Sequence, residues 1–469
     1  SGVWIMAYTT IDKPTDYFNT KLYTGNGSTQ SISSVGFQPD WVWIKERDTV
    51  HEYHNLYDAI RGATKTIYSN DNSAEATQTG LTSFNSDGFS VGSYDIANKN
   101  TSGYASWNWL AGGTAPAITY SVKVVSDSGN KYRFDDFGTS AVTLDLQEGG
   151  TYTFDQSDSS NSGHPLRFST TSNGTHGGGS EYTTGVTTTG TPGNSGAKTV
   201  ITVAASAPTL YYYCTQHSGM GGQANTNSTF GSSNFSGSIQ STVSANTTAG
   251  FSIVSYTGTG SNATVSHGLG VTPKIIFWKR RDNTAGAVNW IVQSTLFGNQ
   301  TKLVLNTTEA FSTNATFSQT NNWDSSTIDL KTYEGQNHSS ATYIAYCFAE
   351  KKGYSKFGSY TGNGSTDGTF VYTGFKPAWL MIKRTDTTND WIMYDNKRNE
   401  FNVVNTQLYA DLNSAEGTAG SGVGTDILSN GFKQRGTGGS YNASGGSYIY
   451  MAFAENPFVT STGIPTTAR

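Results

Sequence analysis

Gly36-Phe37-Gln38-Pro39-Asp40-Trp41-Val42-Trp43-Ile44-Lys45 is apolar at both parities from Trp41 to Ile44. A strand with one wet face alternates, so this run predicts a strand covered on both faces, in the middle of a layered β-domain. The pattern recurs at Val271-Thr272-Pro273-Lys274-Ile275-Ile276-Phe277-Trp278-Lys279 and at Gly374-Phe375-Lys376-Pro377-Ala378-Trp379-Leu380-Met381-Ile382-Lys383. Each time a proline precedes the strand and a lysine marks its exit.

Around these strands lies a unit of about a hundred residues, present in three diverged copies, the scale of an ordinary β-domain. Each copy opens on a Tyr-Thr-Gly turn: Tyr23-Thr24-Gly25-Asn26-Gly27-Ser28, Tyr256-Thr257-Gly258-Thr259-Gly260-Ser261 and Tyr360-Thr361-Gly362-Asn363-Gly364-Ser365. Asn-Gly between strands predicts a type I′ hairpin, whose two central residues need positive φ. Asp87-Gly88-Phe89 and Asn430-Gly431-Phe432 mark a second tight turn, which the middle copy lacks. The copies close on Tyr104 to Trp109, Tyr343 to Glu350 and Tyr448 to Glu455, and aligning the last two sets Cys347 opposite Ala452, as a buried packing residue. The tryptophans Trp41, Trp43, Trp379 and Trp391 read as core, although aromatics beside acids, such as Asp390-Trp391 and Glu52-Tyr53, also suit a sugar-binding groove.

Of 469 residues 13% are charged and 54 are glycine, which favours short strands and many turns over helices. The best helical candidate, Leu56 to Thr64, reads equally as a strand-to-strand loop. A net charge of −5 with no basic run excludes a phosphate-backbone binder, so no nucleic-acid partner is expected. No apolar stretch approaches the roughly 20 residues of a membrane span, which predicts no membrane insertion. No basic-then-apolar leader is visible at Ser1, which fits synthesis and assembly in a host cytoplasm or earlier processing. With two cysteines, stability is expected from packing and assembly. Closed cyclic association would bury open sheet faces and edges, and a homotrimer is the expected form.

The segment between the first two copies has a different character. Tyr211-Tyr212-Tyr213-Cys214-Thr215-Gln216-His217-Ser218-Gly219-Met220 sets a thiol, an imidazole and a thioether three residues apart after an aromatic strand. A mononuclear blue-copper centre needs a thiolate, two imidazoles and a weak axial sulfur, and one turn can deliver three of them. His164, between the strand-like runs at Tyr152 and at Leu166, is the upstream candidate for the second imidazole.

One His, a long interval and then Cys-x-x-His-x-x-Met resembles the cupredoxin family over residues 117–226. That resemblance implies a Greek-key sandwich holding copper through His164, Cys214, His217 and Met220. The alternative is a sandwich of this kind with no resident metal. The repeats, through Gly-Phe-x-Pro-x-Trp and Tyr-Ile-x-x-x-Phe-Ala-Glu, resemble a domain of marine tailed-bacteriophage virion proteins, which implies a jelly-roll or concanavalin-like sandwich. It also implies a place on the virion surface, other virion proteins as partners, and a host-surface glycan as a further one.

Enzyme signatures are weak. Multicopper oxidases need closely spaced histidine pairs, and none of the seven histidines forms His-x-His. His51-Glu52-Tyr53-His54 reads as a polar loop rather than a metal pair. Gly258-x-Gly260-x-x-Ala263 leads into a strand, so no helix N-terminus awaits a phosphate. The Asn-x-Ser/Thr triplets, such as Asn26-Gly27-Ser28, follow from turn chemistry.

The expected architecture is therefore all-β and multidomain: a first β-sandwich repeat (1–116), a cupredoxin-like sandwich (117–226), a linker and second repeat (227–353), and a third repeat with a C-terminal tail (354–469). A non-enzymatic virion structural or adhesion protein carrying a copper-binding module fits best. A copper-binding electron-transfer protein and a polysaccharide-binding or -degrading protein are the alternatives.

Overall fold

The computed structural model describes residues 8–49, 52–226, 230–284, 286–420 and 423–466; Ser1 and His51 of the sequence reading lie outside them. The fold is all-β, with several separate sandwiches. In the first repeat the large sheet runs Phe18–Thr24, Gly103–Trp109, Trp41–Glu46, Asn55–Asp58, Lys65–Tyr68, Ala76–Thr77. The third repeat has the same order, from Ser355–Thr361 through Ser447–Pro457, Phe375–Arg384, Trp391–Asp395 and Thr406–Tyr409 to Gly417–Thr418. The second keeps it within an eight-stranded sheet. Leu56 to Thr64 contributes the end of a strand and the turn after it, not a helix.

The Tyr-Thr-Gly turns are not hairpins. Phe18–Thr24 pairs with Gly103–Trp109, whereas Gln30–Ile32 pairs with Gly88–Val91 in a separate three-stranded sheet, so the chain crosses between layers there. Only the second glycine needs positive φ, 69° at Gly27, so the type I′ requirement on both central residues does not arise. The crossing is held by one buried asparagine per copy. Asn98 accepts from Asn26 N at 3.0 Å, Asn337 from Thr259 N at 2.8 Å and Asn442 from Asn363 N at 3.0 Å. Each stands six residues before a tyrosine that stacks on the turn's own tyrosine, at 4.9 Å for Tyr23 and Tyr104. The middle copy, without its Asp-Gly-Phe turn, has only two strands in this second layer.

The both-face burial of the repeated strand has two sources. Val42 and Ile44, Ile276 and Trp278, and Leu380 and Ile382 face each repeat's own core. Trp41 and Trp43, Ile275 and Phe277, and Trp379 and Met381 meet in one core shared by all three repeats. The joints are cyclic. Trp290 of the second repeat donates to the Tyr68 carbonyl of the first at 2.7 Å, and Trp391 of the third to Val304 of the second at 2.8 Å. At the equivalent position of the first repeat, His54 turns toward the Tyr409 carbonyl of the third without closing a bond of normal geometry. The three repeats thus form a pseudo-threefold ring inside one chain.

Two joints of this ring are ion-paired and one is not. Arg47 forks onto Glu416 at 2.8 and 2.9 Å, and Arg281 onto Glu75 at 3.0 and 3.2 Å. The third joint keeps the backbone bond, Phe311 N to Thr385 O at 3.1 Å, but Thr385 and Phe311 stand where the others have Arg and Glu. Deeper in, Tyr346 donates to Asp58 at 2.6 Å and Trp107 to Asp395 at 3.1 Å, each carboxylate also held by Arg61 or Arg398. The corresponding residues at the third joint are Met451, Ser294 and Phe297, and Met451 and Phe297 lie in the shared apolar core.

Between the first two repeats the chain builds a sandwich of two five-stranded sheets. One holds Asn130–Phe134, Ala117–Ser126, Thr151–Asp155, Lys198–Thr202 and Val186–Thr189; the other Leu144–Asp145, Gly222–Asn225, Leu210–Cys214, Leu166–Ser169 and Glu181–Tyr182. Parallel pairing of Ala117–Ser126 with Thr151–Asp155 shows that these neighbours are joined by a crossover rather than a hairpin. Alternating residues, among them Tyr152, Phe154, Leu166, Phe168, Leu210 and Tyr212, fill a separate core. The sandwich touches the ring through Tyr120, which donates to the Ser233 carbonyl at 2.8 Å, and through Tyr152 and Ser232, whose hydroxyls are 2.7 Å apart.

Candidate metal centre

The donor loop is positioned by strand pairing. Leu166–Ser169 and Leu210–Cys214 run antiparallel with Leu166 opposite Cys214, and Thr215 N extends the ladder by donating to the Pro165 carbonyl at 3.2 Å. Proline loses nothing here, because its carbonyl, not an N–H, is what the partner uses. His164 therefore emerges beside the end of the cysteine strand, and His217 turns back one step later.

The three donors converge. Cys214 Sγ lies 3.8 Å from His164 Nδ1 and 3.7 Å from His217 Nδ1, and all three ligand atoms fall within 4.8 Å of one another. A metal bonded at about 2.0–2.1 Å to nitrogen and about 2.3 Å to sulfur, at trigonal to tetrahedral angles, needs S···N separations of about 3.6–3.8 Å. The imidazole rings approach to 4.5 Å between centroids. Cys214 is buried, His164 half-buried and His217 exposed, so the cluster sits at an open corner of the sandwich. Burial, and secondarily His217, holds His164 below the ordinary histidine range, which favours the neutral imidazole that metals require. Met220 is buried in the same core as Cys214. Among the described residues no other group of three such donors converges.

A second set of residues holds these in place. Tyr132 donates to the His164 carbonyl at 2.9 Å and the buried Gln156 side chain donates to it at 2.8 Å. The Gly/Ser/Thr-rich run after Thr170 is not slack: its 3-10 turn Gly174–Gly177 lies against the donor strand. There His176 Nε2 meets the Cys214 carbonyl at 3.0 Å and Asn173 accepts from Gly219 N at 2.7 Å. Gly174 faces the Tyr213 ring so closely that an added Cβ would lie 2.4 Å from it. Fixing the loop that carries ligands is the usual task of such outer contacts. His176 and Gln156 escape a sequence reading because their partners are backbone carbonyls.

Matching the sequence to known families places residues 13–135 and 223–457 in one family, whose description is a domain of unknown function. The chain belongs to the DUF7483 family. The DUF7483 match covers the three repeats and stops across 136–222, the stretch that carries His164, Cys214, His217 and Met220. No curated protein and no solved structure matches the chain. Within the DUF7483 ring the other candidate residues are packed away. Cys347 is buried and unbridged, and its register opposite Ile276 matches that of Ala452 opposite Leu380. Trp41, Trp43, Trp379 and Trp391 are core side chains, not a stacking platform.

Proposed function

We propose that this protein is a structural scaffold with a mononuclear copper site, which His164, Cys214 and His217, with Met220 as a further sulfur donor, would hold. The convergence of one sulfur and two imidazole nitrogens at metal-bridging separations carries this reading. A buried thioether in the same core as the thiolate favours copper over zinc, which prefers a fourth nitrogen, thiolate or oxygen donor. Bound copper would supply one-electron exchange. The protein's own contribution is rigidity: the paired strands, Tyr132, Gln156 and His176 keep the donor positions from moving with oxidation state.

We assign the scaffold to a virion surface, on the resemblance of its repeats. The pseudo-threefold ring covers one face of each large sheet within a single chain, so a homotrimer of such chains would serve to cover the sheet edges that stay open and to present the assembly to other virion proteins. Equimolar Cu(II) added to the intact chain is expected to produce an intense visible thiolate-to-copper band, absent in Cys214→Ser. A colourless protein that leaves the copper in solution would overturn the reading.

A further inference from the structure

The third repeat departs from the other two at one place. Ten residues separate Asp395 from Thr406, where six separate Asp58 from Lys65 and Ser294 from Thr301. The longer loop, 396–405, walls a cavity of about 570 Å³, within the roughly 300–1,000 Å³ of small-molecule sites. A second cavity of about 200 Å³ shares Asn396, Glu455 and Asn456 with the first and reaches the edge strand of the first repeat at Asn19 and Thr20. The two adjoin across these shared residues at the joint between the first and third repeats.

The lining is amphiphilic. Val404, Ile427 and Leu428 provide an apolar surface, and asparagine amides and Glu400 provide polar walls. Two lining groups are shut away from water without a partner: Asn396 Oδ1, on a residue 8% exposed, and Thr20 Oγ1, on a residue 6% exposed. Buried polar atoms of this kind are normally satisfied, which marks this wall as less tightly packed than the rest of the joint. Phe401, between the lining residues Glu400 and Asn402, is 73% exposed, the most of any large apolar side chain among the described residues.

The chemistry selects among ligands. The Lys376 ammonium is paired with Glu455, and Lys397 and Glu400 offset each other, so the combined lining carries no net charge to draw in phosphate or another ion. A cation in the cleft would stand beside that ammonium. Hydroxyl groups on an apolar ring are what remain: amides both donate to and accept from them, carboxylates accept, and an exposed aromatic face covers the C–H side of the ring. We infer that this cleft is a saccharide site, taking the end of a neutral oligosaccharide with Phe401 against a sugar face and Glu400 and the Asn399 and Asn402 amides as hydroxyl partners. It is independent of the copper reading, since none of its residues belongs to the inserted sandwich.

The test uses the intact protein on a glycan array spanning neutral, amino and acidic saccharides, with titration of the best neutral hit. Saturable binding that weakens about tenfold or more in Phe401→Ala and in Glu400→Gln, at unchanged melting temperature, is expected, a loss typical of a main contact residue. Three results would overturn it: no saturable glycan in the array, binding indifferent to both variants, or stabilisation by calcium or inorganic phosphate instead of sugar.

Discussion

The ring and the inserted sandwich use the same residue types to opposite ends. In the ring, a cysteine, three lysines and several carboxylates are buried at repeated positions and engaged in packing or joints. Lys279, for example, reaches the Asn72 carbonyl of the neighbouring repeat at 2.9 Å, and burial lowers it to about 7. In the insert, Cys214 and its two histidines are gathered at an open corner and held by backbone contacts from outside. Repetition makes a scaffold, and the one unrepeated module leaves donor atoms pointing at a common centre.

If that division is real, damage to the ring should be severe and should not reach the insert. Arg61→Ala strands Asp58 beneath Tyr346 in a joint where both charges are fully buried. The expected loss is about 3–5 kcal/mol by denaturant melts, with copper affinity of the surviving folded protein unchanged. A fall in that affinity would mean that ring and insert act as one unit.

The ring's own symmetry offers a gentler probe. The N–H groups of His54, Trp290 and Trp391 each donate at 2.9 Å to the side chain two residues beyond a joint carbonyl, which is Asn70, Asn306 and Asp411. The third repeat thus has a carboxylate where the others have an amide, and burial, with help from Asp390, raises Asp411 to about 7. A raised carboxyl contributes stability that is present below its unfolded value of about 4 and lost as pH climbs through about 7. Asp411→Asn should therefore change little at pH 4 and gain up to about 4 kcal/mol at pH 8, read from melts at both. A gain of equal size at both pH values would count against an ionised buried carboxylate.

On the insert's side, His176→Ala releases the Cys214 carbonyl. Copper affinity should drop about tenfold while the sandwich stays folded. The smallest effect belongs to the unpaired joint. Thr385→Arg with Phe311→Glu copies the Arg47–Glu416 arrangement, and a double-mutant cycle should return about 0–1 kcal/mol, screened by salt.

The sequence exposes whatever is carried by side chains in a repeated or closely spaced pattern. Strands apolar at both parities predict the layered fold, and Cys214-x-x-His217 with an upstream His164 picks out the three side chains that the structure brings together. The ring is harder to see, because its joints link positions far apart in the chain and several of them end on carbonyls, as Trp290 does on Tyr68. Carbonyls leave no mark in a sequence. The Asn-Gly turns mislead for a related reason: a glycine at positive φ serves a layer crossing as well as a hairpin, and the deciding residues, Asn98 and its two equivalents, lie some seventy residues away. They do keep a fixed distance of six from Tyr104, Tyr343 and Tyr448, which is a legible signal.

The most direct test of the account is X-ray absorption at the copper edge on the intact chain loaded with one equivalent of copper. The expected spectrum has one sulfur at about 2.2–2.3 Å and two imidazole nitrogens at about 2.0 Å, with the sulfur shell gone in Cys214→Ser. Copper surrounded only by oxygen and nitrogen, with the same spectrum in wild type and variant, would contradict it.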